Sequence, residues 1–302
     1  MHRISRTRAG AAIAALAVAG LVSTGSDVAL AANRAPSTGG ATTLNVAITD
    51  HGMYLDGPTT FAAGRVKVLL EDARSSHDAV LAVVRLVPGY TWKEYRDDLK
   101  VAFSNLFAPN GNKKKGLRRL NHAIHHAVGY GGFDAHAGEK RSATLLLNVP
   151  SASYFAYDDS GNLPKRPHRL TVTAASGPQT LPTADATVIA KTNRRFGGDT
   201  VLPARGTIEF VNHSTESPHF LILQHVKEGT TRKQVRQGLQ SNSQPSWVLP
   251  EEAATDVVSL HQKMVLHVHV PAGEYVEMCF FPDPQEGTPH ALMGMIRIVH
   301  LR

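Results

Sequence analysis

Cysteine is nearly absent: the 302 residues hold one, Cys279. That excludes a disulfide framework, and it leaves no second thiol to carry a lipid near the N-terminus. Long apolar runs are equally scarce. Ala9 to Val22 is the one extended run, too short for a comfortable membrane span, and no second one follows. No transmembrane segment is therefore expected in the mature chain, and no twin arginine precedes the apolar run. Charge of one sign is also in small excess. The formal net charge of +7 falls to about +5 once Arg3, Arg6, Arg8 and Asp27 are removed with the leader described next. Such mild basicity suits an anionic cell-envelope polymer, and no nucleic-acid-binding module accompanies it, so no nucleic-acid partner is expected.

The N-terminus carries three arginines and no acid in its first eight residues, then the apolar run, then Ala29-Leu30-Ala31. This order predicts a signal peptide over 1–31 with cleavage before Ala32, and a protein secreted into the periplasm or the medium. In that oxidising compartment an unpaired thiol is a liability. Cys279 then pairs between molecules, packs as an inert small hydrophobe, or binds a metal.

An internal repeat sets the expected organisation. Gly89 to Leu99 matches Gly229 to Leu239 at an offset of 140, with Gly, Thr, Lys, Arg and Leu in register. Both copies open a helix with capping-box spacing, Thr91 with Glu94 and Thr231 with Gln234. Upstream, Gly64 and Gly206 each precede an alternating strand, and each is followed thirteen residues later by a histidine, His77 or His219. Downstream, His168 and His290 correspond at an offset of 122, so the first copy holds about 18 extra residues, including the basic run Lys113 to Arg119. Domains are expected over 42–174 and 184–302, joined by a linker over 175–183. Short strands over Leu44–Thr49, Ser142–Val149, Ala186–Lys191, Met264–Val270, Tyr275–Phe280 and Leu292–Val299 predict an all-β chain of two tandem Greek-key β-sandwiches, each with a short inserted helix.

The last part of the chain holds Tyr275 to Phe281, a turn-rich loop over Pro282 to Pro289, and then His290-Ala-Leu-Met-Gly-Met295. This order resembles the ligand loop of the cupredoxins, the blue-copper family. There a strand-borne cysteine, a histidine and a methionine preceded by glycine follow one another, and a further histidine comes from an earlier strand. The resemblance implies one copper ion held by His219, Cys279 and His290, with Met295 as axial ligand in preference to Met293. A thiolate and two imidazoles bind copper in both oxidation states, and a long thioether adjusts the potential. The ten residues between Cys279 and His290 exceed the usual cupredoxin loop and approach that of the copper nitrite reductases. Those enzymes and the multicopper oxidases carry a histidine just before the cysteine. Here that residue is Met278, so enzyme chemistry is not the favoured reading.

The first copy keeps His77 and His168 but lacks the cysteine and the Gly-Met, which predicts a structural or partner-binding unit. Leu117, Leu120, Ile124 and Val128 follow helical spacing, with His122, His125 and His126 on the remaining surface and Gly131-Gly132 as the stop. With Lys and Arg so close, a solvated basic face is expected there rather than a second metal site. His267 and His269 share one face of a strand. Two functions follow: copper-dependent electron transfer or copper carriage with a redox or copper-exchange partner, and, as the alternative, a metal-free binding module of the cell envelope.

Overall fold

The structure, a computed structural model, describes residues 41–74, 78–161, 166–175, 177–241 and 245–302. The expected signal region and His77 lie outside the described residues. In chain order the first half forms β1 (Thr42–Thr49), β2 (Gly52–Asp56), β3 (Thr60–Asp72), β4 (Ala79–Leu86), α1 (Trp92–Leu106), α2 (Lys113–His126), β5 (Ala127–Ala135), β6 (Lys140–Leu147), β7 (Ser153–Asp158) and β8 (His168–Ala175). The second half forms β9 (Ala186–Lys191), β10 (Arg195–Gly198), β11 (Val201–Leu202), β12 (Arg205–Asn212), β13 (Ile222–Val226), α3 (Arg232–Gln240), β14 (Val248–Ala254), β15 (Lys263–His269), β16 (Gly273–Met278) and β17 (Ile296–Leu301).

Alternation drives the strands. Val66, Val68 and Leu70 of β3 turn inward while Lys67 and Leu69 face solvent, the period-two pattern of a sheet with one buried face. Each fully buried side chain of the core, such as Phe210, Leu145 or Leu170, contributes about 1.5–3 kcal/mol of transfer free energy. Both capping boxes form: the Thr91 and Thr231 hydroxyls accept from the backbone N–H of Glu94 and Gln234, whose side chains accept from the cap N–H in return.

The halves repeat one connectivity. In the first, β4 pairs with β7 and β7 with β8; in the second, β13 pairs with β16 and β16 with β17. In each half the capped helix follows the strand that leads this set. The opposite face is β1–β3–β6 in the first half and β9–β12–β15 in the second, and these two faces are fused. β6 and β15 pair antiparallel, with Leu145 opposite Met264, Thr144 opposite Val265, Ala143 opposite Leu266 and Ser142 opposite His267. The result is an all-β sandwich fold in which the first half also reaches the second through bridges from Tyr130 to Val258 and from Phe133 to Thr255.

Three local expectations shift. The last strand begins at Ile296 rather than Leu292, because Ala291 to Met295 is a tight turn with Gly294 at φ 102°. α2 ends at His126, before the glycines; Gly131 and Gly132 sit within β5, where a Cβ on Gly132 would fall on the backbone of Leu81. The first half holds two helices, and the second of them is the basic insertion.

Candidate metal centre

Three of the four expected ligands converge. Cys279 Sγ lies 3.6 Å from His219 Nδ1 and 3.7 Å from His290 Nδ1, and the two Nδ1 atoms are 3.1 Å apart. All three residues are wholly shielded from solvent. Among the described residues they form the single cluster of histidine, cysteine or acidic side chains able to hold a metal ion. Met295 is equally buried, and its backbone N–H donates to the His290 carbonyl at 2.9 Å.

Local structure explains the convergence. His219 exchanges backbone hydrogen bonds with Val258 in an isolated bridge, and the loop leading to it is tied down by Asn212. The fully buried Asn212 amide donates to the carbonyls of Ser217 and Val258, while its oxygen accepts from Ser214 N–H. Cys279 follows the last residue of β16. The long loop after it closes as a hairpin: the N–H of His290 donates to Phe281 O, that of Ala291 to Cys279 O, and Pro282 bridges to Pro289. Ten residues of loop therefore still return the histidine to the cysteine.

The electrostatics suit a cation. Burial pushes the His219 ring down to about 3, with the neighbouring His290 adding to the effect, and burial takes His290 down to about 4, so both imidazoles are neutral at physiological pH. Burial pushes the Cys279 thiol up to about 12, against the pull of backbone N–H groups of Phe220 and Phe281. Two neutral imidazoles and one sulfur are thus gathered within 3.1–3.7 Å of one another in a site closed to solvent. The Nε2 atoms of His219 and His290 have no hydrogen-bond partner among the described residues, although buried imidazoles are ordinarily paired. A soft monovalent or divalent ion among the three inward atoms fits this donor set.

The first half supplies the contrast. Strand pairing puts Met278 opposite Ile222 at the end of β16 and Asp158 opposite Leu81 at the end of β7, and β7 is followed by Asp159 and Ser160 rather than by a cysteine. Nearby, Arg74 donates to Asp72 at 3.1 Å and to Ser160 at 2.6 Å, and lies 3.6 Å from Asp158. A guanidinium balances these carboxylates. His168 is turned away, its Nε2 3.0 Å from Met53 O.

The other histidines are not drawn in. His122 Nδ1 meets the buried Asp98 at 2.6 Å beside Arg119 and Tyr90, while His125 and His126 bond carbonyls of their own helix. His267 and His269 lie on β15 away from the cluster. Two residues that the sequence pattern does not single out border the site. Asp283, nearly fully buried, lies with its Oδ2 3.7 Å from His290 Nε2 and accepts from Arg194 Nε at 2.8 Å. The available signal was a carboxylate inside the ligand loop; no spacing rule points to Arg194.

No protein-family model and no curated protein matches the sequence. Solved structures do. Auracyanin from the photosynthetic bacterium Roseiflexus castenholzii aligns at 17% identity over 38% of this chain and 94% of that one, with a TM-score of 0.27. A copper-containing nitrite reductase from Thermus scotoductus aligns at 11% over 87% of this chain and 62% of that one (TM-score 0.22), and a multicopper oxidase at 10% over 86% and 88% (TM-score 0.23). These are coarse likenesses. The class that the strands themselves define is a mostly β, sandwich-like fold. Among the described residues no helix is long and apolar enough to cross a membrane.

Proposed function

We propose that this chain is an exported copper protein that holds one ion through His219, Cys279 and His290, with Met295 as axial ligand, and that it serves electron transfer or copper carriage. The observation that carries the reading is the meeting of two neutral Nδ1 atoms and one thiol sulfur within 3.1–3.7 Å in a solvent-free site. When bound, copper supplies a one-electron couple between its two oxidation states.

The chain's own residues do the rest. The Val258 bridge and Asn212 hold His219, the closed hairpin holds Cys279 and His290 together, and burial excludes water from all of them. Donors held in one arrangement require little rearrangement when the charge on a metal changes, which favours transfer of electrons over catalysis on a bound substrate. In this reading 1–31 is removed on export, and of the units 42–174 and 184–302 only the second binds metal. The exposed face of α2, with Lys113, Lys114, Lys115 and Arg118, supports contact with an anionic envelope polymer.

Metal analysis after refolding with copper tests the reading. One equivalent of copper per chain with an intense blue thiolate-to-copper band is expected. Copper well below one equivalent and no such band would return the protein to the metal-free binding module.

A further inference from the structure

We infer that Asp283, clamped by Arg194, is the positioning residue of the centre: it keeps the proton of His290 on Nε2 and so turns the bare Nδ1 toward Cys279 and His219. Only the use of that bare nitrogen by a metal rests on the copper reading. The proton assignment itself belongs to the chain.

A count of hydrogen-bonding groups leads there. The two Nδ1 atoms, 3.1 Å apart, can both be satisfied only if one carries a proton and the other a lone pair. Each ring then has its other nitrogen to account for, and neither Nε2 has a hydrogen-bond partner among the described residues. A buried N–H without an acceptor is the rarer defect; a buried acceptor without a donor is better tolerated. Among the described residues His219 Nε2 faces no acidic oxygen within ion-pair range, whereas His290 Nε2 faces Asp283 Oδ2 at 3.7 Å. The bare Nε2 therefore belongs to His219 and the protonated one to His290. His219 Nδ1–H donates to His290 Nδ1, and His290 Nε2–H points at the carboxylate. A separation of 3.7 Å is longer than a hydrogen bond, so the carboxylate acts on this N–H through its charge.

The carboxylate is built to face that nitrogen. Asp283 Oδ1 accepts the backbone N–H groups of Gln285 and Glu286 at 2.9 and 2.8 Å, which fixes its rotamer within the ligand loop. The Asp283 carbonyl accepts from Gly287 N–H and its own N–H donates to Thr288 O, locking the backbone around it. Oδ2 is left to Arg194 and to His290. Arg194 reaches in from the turn between β9 and β10, where it holds a left-handed backbone at φ 54°, a conformation unusual for a residue other than glycine. Its charge offsets that of Asp283, which is 2% exposed and would otherwise be costly to bury. Carboxylate partners of this kind orient ligating imidazoles and raise their basicity.

Two measurements on the whole chain decide the matter. In metal-free protein with 15N-labelled histidine, NMR should show His290 protonated on Nε2 and His219 on Nδ1. Asp283→Ala should then leave His290 exchanging between tautomers. A wild-type His290 protonated on Nδ1, or an Asp283→Ala spectrum identical to wild type, overturns the inference. In copper-loaded protein, Asp283→Asn removes a negative charge and should raise the reduction potential, and Arg194→Met removes a positive charge and should lower it. Each shift is expected near a tenfold change in the ratio of reduced to oxidised affinity, about 59 mV for one electron. Shifts of the same sign, or none, assign the two residues a merely structural role. A wild-type chain that takes up no copper defeats the copper reading instead, and the NMR arm still decides the proton assignment.

Discussion

Gly287, in the loop that returns His290 to Cys279, lies against Leu106 at the end of α1: a Cβ at Gly287 would stand 2.7 Å from Leu106 Cδ2 and 3.3 Å from Leu117 Cδ2. The helical pair of the first half thus roofs the ligand loop of the second, and the Asn121 amide fastens it by donating to Pro284 O at 2.7 Å. Gly287→Ala adds overpacking to the strain of φ 68° and should destabilise the chain by about 2–4 kcal/mol in urea unfolding. Adding Leu106→Ala to it should recover part of that loss, because the clash is with this side chain. Absence of any recovery would separate the loop from the helices.

The thiol should be unreactive in the folded, metal-free protein. Cys279 is fully buried and burial pushes it up to about 12, so thiolate is scarce at neutral pH. Alkylation by iodoacetamide at pH 7 should proceed only as fast as the chain opens, and should become rapid in denaturant. Fast modification of native protein would mean that the cluster is open to solvent.

Arg141 is a buried cation that reaches from the first half to the second. It donates to Asp134 at 2.6 Å, to Glu139 at 2.8 Å and to the Glu252 carbonyl at 2.8 Å. Arg141→Met would leave the Asp134 carboxylate, 4% exposed, without its counter-charge, and about 3–5 kcal/mol of stability should be lost. Asp134→Asn in the same background should restore a portion, which equilibrium unfolding can measure.

How much of this was legible in the sequence depends on the range of the interaction. Capping boxes at Thr91 and Thr231 are local chemistry, fixed by residues three apart, and both formed. The alternating strands follow from pattern along the chain, and the grouping of His219, Cys279 and His290 is what the resemblance to the cupredoxin ligand loop implies. The pairing of β6 with β15, the roof over Gly287 and the reach of Arg194 to Asp283 are contacts between segments far apart in sequence, each made by side chains common on any surface. No periodicity encodes them. The five residues after His290 misled for another reason: their apolar character suits a strand, while the hydrogen bonds of a turn around Gly294 decide the backbone.

Stability should fall as the pH rises above neutrality. The hydrogen bond to Asp78 holds His136 up to about 9 from an ordinary 6.5, despite burial. A histidine raised on folding stabilises fully below its unfolded value and loses that contribution as the pH passes through the folded one. Burial likewise raises Glu252 to about 8, with Asp134 adding to it, so its neutral form is favoured on folding and ionisation costs stability between about 4.5 and 8. The two effects share a sign, and Asp78, Asp134, Glu139, Arg141 and Glu251 surround them. Denaturant midpoints should fall from pH 6.5 to 9, with the His136 share about 1–2 kcal/mol given its partial exposure. Asp78→Asn should flatten that share; a wild-type profile level across this range contradicts the assignment.

The ladder between β6 and β15 has a symmetry of its own. Thr144 pairs with Lys67 in the first half, and Val265 pairs with Glu209 in the second. Lys67 and Glu209 lie at the 142-residue offset that relates Gly64 to Gly206, so Thr144 and Val265 are the same position of the two copies. They stand opposite each other. Around them Leu145 faces Met264 and Ala143 faces Leu266, and exchanging the copies leaves the set of pairs unchanged. The ladder is thus isologous, turning on a local two-fold axis between Thr144 and Val265, as in a homodimer whose subunits have become one chain. Each copy's edge is then the complement of itself. A chain cut down to the second copy alone would expose the row from Met264 to His267, and a second such chain could offer it an identical partner in the same antiparallel sense.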